Sequence, residues 1–334
     1  LKGVFAPSGS TIPGTGLKLK PTKIRGVSSN GMLCSEREMG LSDEHEGIID
    51  LPADAPVGQP FAAYMGLDDP LFDIAITPNR ADCLGVFGIA RDLAAAGLGQ
   101  LKAPDLSAIP GAFKSPLDVR LEFSAEAADA CPLFVGRYIR GVKNGPSPKW
   151  MQDRLLSVGL RPISALVDMT NFVTLDLNRP VHVFDADKVS GDHLWLRTGC
   201  AGAKFDALNG KEYELDGEMT AIGDETGVLS LAGVMGGQRS GCTDETVNVF
   251  IEIALFDPVR TAATGRKLNL ESDARHRFER GVDLAFAEPG MEVATRLVQD
   301  MCGGEASELV IAGTAPEWRR EVTFRPSRVH TLGG

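Results

Sequence analysis

The chain has 334 residues, 43% of them hydrophobic, and its 34 basic and 45 acidic side chains leave a net charge of −11. That length supports two or three domains with their own cores, and no apolar run approaches the roughly 20 residues a membrane helix needs. An acidic balance excludes a protein that coats nucleic acid all over, although residues 1–40 concentrate six basic residues against two acids, Glu36 and Glu38.

Residues 1–55 are rich in Gly, Ser, Thr and Pro. Turns at Pro7-Ser8-Gly9 and Pro13-Gly14 break up short β-like runs such as GLKLKPTKIRGV, which predicts part of a small all-β barrel. DAPVGQPFAAYMGL reads as a linker and a short strand. Between Asp73 and Leu98, Asn79 or Asp82 is placed to cap a helix with Leu84, Phe87, Ala90 and Leu93 or Ala94 as its buried stripe, and Gly97 is placed to end it. Further on, LDVRLEF alternates as a strand, and PSPKWMQDRLLSVGL predicts a helix with Trp150, Leu155 and Leu156 on one face. HLWLRTG, AIGDETGVLSLAGV and VNVFIEIALF are strand-like; DPVRTAATGRKLNL and LAFAEPGMEVATRLVQDM are helix-like. This mixture is α+β, not a repeating βαβ array.

Several residues carry chemistry. Glu252 sits between Ile251 and Ile253 in a strand-like run, where successive side chains alternate faces. It is either an edge position facing water or a pocket carboxylate that accepts a hydrogen bond. Gly236 and Gly237 form either a tight turn or a pocket wall without side chains. His182 is either a half-buried, satisfied histidine or a group that orients a water or an ester. Arg266, Arg275, Arg277 and Arg280 read as a solvated helix start with ion pairs, with a phosphate contact as the alternative. The six cysteines, at 34, 83, 131, 200, 242 and 302, form no C-x-x-C pair. With no secretory signal, this favours reduced thiols in the cytoplasm over a zinc knuckle. A start at Leu1 without a signal-peptide pattern is expected of a piece of a longer chain. No phosphate-binding P-loop, G-x-S-x-G elbow or H-E-x-x-H helix occurs.

Several strings resemble one family, the bacterial phenylalanyl-tRNA synthetase beta subunit. KIRGVSSNGMLCSEREMGL resembles the C-terminal half of the oligonucleotide-binding (OB) fold of its tRNA-binding domain, and TPNRADCLGVFGIARDLA resembles its N-terminal structural domain. ISALVDMTNFVTLDLNRPVHVFD, AGVMGGQ, NVFIEIALF and LESDARHRFERGVD resemble its editing domain. The resemblance covers nearly the whole chain. It implies a multidomain α+β protein, a partial OB-fold β-barrel followed by a mixed α/β editing domain. The implied boundaries are 1–55 for the partial barrel, 56–115 for the rest of the structural domain, 116–318 for the editing domain and 319–334 for the start of a further domain.

The same resemblance implies that the chain hydrolyses mischarged Tyr-tRNA(Phe) and supports ATP-dependent charging of tRNA(Phe) with phenylalanine. Glu252 would recognise the tyrosine hydroxyl, Gly236 would face the ring, and Ala274, with Ser272 nearby, would keep the pocket open. His182, Thr170 and Asn171 would position the ester, the terminal adenosine and the water. Lys18, Lys20, Lys23 and Arg25 would touch tRNA. An alpha subunit is the implied partner, in an α2β2 heterotetramer, with no membrane partner. ATP and magnesium belong to the whole synthetase, and neither a metal nor a cofactor is assigned to this chain.

Overall fold

The structure, a computed structural model, describes every residue except Asp69, Trp318, Arg320, Gly333 and Gly334. The chain divides into two units, Leu1–Phe72 and Asp73–Gly334. The segment 319–334, expected to open a further domain, includes three of the residues outside the described set.

Frequent turn residues cut the first unit into three two-stranded antiparallel ladders: Lys2–Gly3 with Asp50–Leu51, Phe5–Pro7 with Gly31–Leu33, and Thr22–Ile24 with Val27–Ser29. The last is a hairpin whose turn residues, Arg25 and Gly26, have φ of 50° and 84°, the paired left-handed conformations of a type I′ turn. Val4, Ile12 and Cys34 form a small core under partly buried Met32, Leu51 and Phe61. Among the described residues the ladders do not join into a closed barrel.

The second unit contains α1 (Val86–Ala95), β1 (Asp118–Leu121), β2 (Leu133–Arg140), α2 (Lys149–Ser157), α3 (Ala165–Leu177), β3 (His182–Asp185) and β4 (His193–Arg197). It continues with β5 (Ala221–Asp224), β6 (Gly227–Leu231), β7 (Met235–Gly236), β8 (Asn248–Leu255), α4 (Pro258–Leu268), α5 (Asp273–Phe278), α6 (Ala287–Cys302) and β9 (Glu305–Gly313). One sheet has the order β9-β2-β8-β3 and is antiparallel throughout. The other has the order β7-β6-β5-β4-β1 and is antiparallel except where β1 meets β4.

Strand β8 is the centre of the unit. It pairs with β2 residue by residue, from Asn248 opposite Arg140 to Leu255 opposite Leu133. Val249, Ile251, Ile253 and Leu255 pack with Met169 and Val173 of α3 and Met291 and Val298 of α6. Phe250 and Ala254 pack with Leu194, Leu196, Ile222 and Leu229 of the five-stranded sheet. Helices therefore cover one face of β8 and a second sheet covers the other, and a strand buried on both faces reads as an unbroken apolar run. By alternation, Glu252 falls on the sheet-to-sheet face beside Phe250 and Ala254.

A buried ion pair ties down the approach to β1. Arg137 Nη1 donates to Glu292 Oε2 at 2.8 Å, and the same oxygen accepts from the Ile109 N–H at 2.9 Å. Arg137 Nε donates to the Ser307 carbonyl at 2.9 Å, and Nη2 donates to the Ile109 carbonyl.

Two helices differ in detail from expectation. Gly85 caps α1, while Asn79 and Asp82 lie in the 3-10 turn Pro78–Cys83. Asp82 is unavailable for capping because its carboxylate accepts from Arg80 and Arg91. Leu93 is exposed, and the inward face of α1 runs through buried Gly88 and half-buried Phe87, Ala90 and Ala94. In α2 the buried pair is Met151 and Leu155, while Trp150 and Leu156 are exposed. Trp150 instead meets Phe172 edge-on at 5.3 Å, with the Arg154 guanidinium over both rings. Among the described residues no helix is long and apolar enough to cross a membrane.

Candidate active site

Strand register assembles the site. Glu252 of β8 lies opposite His182 of β3 on one side and Gly136 of β2 on the other. Directly opposed residues on neighbouring strands share a face, so carboxyl and imidazole emerge together. Glu252 is only 6% exposed, which rules out its water-facing reading. Its Oε2 has no hydrogen-bond partner among the described residues, and burial pushes its pKa up to about 8. The His182 Nε2 is also shielded and has no partner among the described residues, and burial pulls the imidazole down to about 4. At neutral pH the site therefore presents a mostly protonated carboxyl and a neutral imidazole. Both line a cavity of about 70 Å³, together with Ser230, Met235, Gly236, Ala274 and Phe278.

Missing side chains shape this cavity. A Cβ on Gly236 would lie 2.4 Å from His182 Cε1 and 3.0 Å from Leu208 Cδ1, so this glycine makes room for the imidazole. A Cβ on Gly136 would lie 2.3 Å from Phe250 Cζ, so that glycine lets the ring pack beside Glu252. Gly237 closes against the Leu229 carbonyl, 2.4 Å from where its Cβ would stand. The His182 ring meets Phe184 edge-on, with centroids 4.4 Å apart.

The other expected site residues lie elsewhere. Ser272 caps α5: its hydroxyl accepts from the Arg275 N–H at 3.1 Å and donates to the Val234 carbonyl at 2.7 Å, bracing one cavity wall from outside. Thr170 and Asn171 sit half-buried on α3 and do not line the cavity. The Thr170 hydroxyl donates to the Val167 carbonyl at 2.7 Å. Arg275, Arg277 and Arg280 form ion pairs with Glu279, Asp273 and Glu279 at 3.1, 2.8 and 2.7 Å. That is the ion-pair reading of the basic cluster. Lys18, Lys20, Lys23 and Arg25 are exposed in the first unit.

Asp82, Cys83 and Asp92 bring three ligating atoms within 4.8 Å of one another. Arg80 donates to both carboxylates, at 3.0 Å to Asp82 and 2.7 Å to Asp92. These residues do not suit a cation, because a guanidinium already fills the place.

Sequence reasoning did not single out Gly136, Ser230 or Phe278. Gly136 left a readable signal: a glycine inside LFVGRYIR, an otherwise bulky strand, marks a close approach.

Residues 130–303, more than half of the chain, match the family model of the B3/4 domain. The chain belongs to the B3/4 domain family. Its B3/4 domain contains Glu252, His182, Gly236, Ala274, Ser272, Thr170 and Asn171. A tRNA binding domain model matches residues 17–60, which include Lys18, Lys20, Lys23 and Arg25. The chain is 58% identical over its full length to the phenylalanine–tRNA ligase beta subunit of Paramagnetospirillum magneticum, of which it covers 42%. It is also 58% identical to that of Cereibacter sphaeroides, of which it covers 41%. The chain thus spans about two fifths of the length of these curated relatives. A solved N-terminal fragment of the phenylalanyl-tRNA synthetase beta subunit from Pyrococcus horikoshii is 18% identical, with a TM-score of 0.33 over 57% of this chain and 59% of that one.

Proposed function

We propose that this chain is the editing region of a phenylalanine–tRNA ligase beta subunit, and that its B3/4 domain hydrolyses Tyr-tRNA(Phe) to tyrosine and free tRNA. The observation that carries this reading is the Glu252 carboxyl, buried between two sheets with Oε2 unpartnered at a cavity. Tyrosine differs from phenylalanine by one hydroxyl, and an apolar synthetic pocket rejects such an isostere weakly. A second site selects the wrong product if it pairs the extra hydroxyl. A phenol both donates and accepts, so it pairs with the carboxyl in either protonation state. A phenylalanyl ring would leave Glu252 unpaired, at a cost of about 1–3 kcal/mol.

A pKa near 4 makes His182 a weak base at neutral pH. Its role here is to orient the water or the ester through Nε2. Water adds to the ester carbonyl, the bond to the ribose oxygen breaks, and that oxygen leaves with a proton. The cavity as it stands, about 70 Å³, is smaller than the roughly 150 Å³ that holds benzene. Entry of a ring therefore requires the lining to give way, and half-buried Met235 is its flexible member. Thr170 and Asn171 serve the terminal adenosine, Ser272 supports the wall, and Ala274 leaves space.

The partial OB-type barrel of the first unit would dock tRNA through Lys18, Lys20, Lys23 and Arg25. In the whole synthetase, a cytoplasmic α2β2 assembly, the alpha subunit would carry ATP- and magnesium-dependent charging. The small size of the cavity favours one other reading, a docking module whose pocket is vestigial. Deacylation of Tyr-tRNA(Phe) and Phe-tRNA(Phe) by this chain, alone and added to an editing-dead synthetase, separates the two. Selective loss of the tyrosyl ester supports editing; no loss in either format leaves the docking module.

A further inference from the structure

The second unit holds another cavity, of about 390 Å³, lined by residues of the turn before α1, the end of α3 and the loop into α6. None of its lining residues lines the Glu252 cavity. Arg179, which lines it, is 1% exposed. Its Nη2 donates to the Asp283 carbonyl, while Nε and Nη1 are shielded from solvent and have no hydrogen-bond partner among the described residues. Burial lowers its pKa to about 10, offset in part by Asp283, so it stays charged at neutral pH. The Asp283 carboxylate is engaged in capping the Ala285 N–H at 2.9 Å. A buried charge without a hydrogen-bonded counter-charge is costly.

The surroundings point to what would offset that cost. The neighbouring Asn178 donates from Nδ2 to the Ala81 carbonyl at 2.7 Å and leaves a buried Oδ1 unpaired. Phe87, Leu177, Val282 and Phe286 supply apolar wall. Asp82, also in the lining, is already neutralised by Arg80 at 3.0 Å and Arg91 at 2.6 Å. The volume falls in the range of about 300–1,000 Å³ typical of small-molecule sites, which combine apolar walls with a few placed polar groups.

We propose that this cavity binds a small organic oxyanion, a carboxylate or a phosphate on an apolar group, with Arg179 as its counter-charge. Charge-assisted hydrogen bonds to Nε and Nη1 would satisfy the guanidinium. The Asn178 Oδ1 would accept from a hydroxyl or N–H on the same ligand, and the two phenylalanines would cover its apolar part. The inference does not depend on the editing reading, since it uses none of those residues.

The test titrates the full chain with phenylacetate, phenyl phosphate, acetate and inorganic phosphate, following thermal stability and the side-chain Nε–H resonance of Arg179. Saturable binding of an aryl probe that moves this resonance is expected, and Arg179→Met, which removes both charged hydrogen bonds, should weaken it at least about tenfold. The carboxylate and phosphate arms identify which oxyanion is preferred. If Arg179→Met does not fold, the wild-type resonance decides alone. An unmoved resonance, no saturable binding by any probe, or unchanged affinity in a folded Arg179→Met overturns the proposal.

Discussion

Replacing Glu252 with glutamine tests whether its carboxyl is as buried and unpaired as the geometry indicates. Glutamine keeps the shape and removes the titration. Burial raises the Glu252 pKa from the ordinary 4.5 to about 8. Below pH 4.5 the group is protonated in both folded and unfolded chains and costs nothing by ionising. Between these values the unfolded chain ionises and the folded chain does not. Stability is therefore lost as pH rises through this window, by about 1.4 kcal/mol per pH unit. The full loss approaches about 5 kcal/mol by pH 8. Glu252→Gln should thus gain on the wild type progressively from pH 5 to pH 8, and the gap should then level. Urea unfolding followed by tryptophan fluorescence reads this directly, because Trp150 and Trp195 lie in the second unit. A stability difference that stays flat from pH 5 to pH 9 would refute the burial argument.

Other consequences follow from the same geometry. His182 is depressed to about 4, so it weakens the fold as pH falls from 6.5 towards 4. His182→Asn should remove that acid-side loss, and deacylation by the wild type should show no inflection near pH 6.5. Gly236→Ala forces a Cβ against His182 Cε1 at 2.4 Å; it should destabilise by about 1–3 kcal/mol and slow deacylation of Tyr-tRNA(Phe) in single-turnover assays. Glu292→Ala strands the buried Arg137 and should lower unfolding free energy by about 3–5 kcal/mol in urea titrations. Lys23→Ala with Arg25→Ala should weaken tRNA binding and flatten its dependence on log salt by about 1–2 if both touch phosphate; an unchanged slope removes them from the tRNA surface.

Much of the fold was legible where local pattern and tertiary environment agree. The run NVFIEIALF reads as a strand because every neighbour is apolar, and that uniformity also signals burial on both faces. Of the two readings open for Glu252, the edge position does not fit this signal and the pocket carboxylate does. The faces of α1 and α2 were harder, because Arg80, Arg91 and Arg154 recruit Asp82, Trp150 and Phe172 into surface clusters. At the site, sequence brought His182, Gly236, Glu252 and Ala274 forward, and they share one cavity. It could not show that the space at Gly236 is taken up by His182, because that depends on the register of β3 against β8 and on where β7 lies. Arg179 left no signal beside Pro180 in the sequence, since its unpaired Nε and Nη1 are a property of packing alone.

The central claim is that Glu252 reads the tyrosine hydroxyl. The most direct test is the ratio of deacylation rates for Tyr-tRNA(Phe) and Phe-tRNA(Phe), compared between wild type and Glu252→Ala in the same synthetase background. Leaving this buried carboxyl unpaired costs about 1–3 kcal/mol, so the wild-type ratio should exceed about 5 and fall towards 1 in the variant. A variant that remains folded and keeps the wild-type ratio would contradict the account.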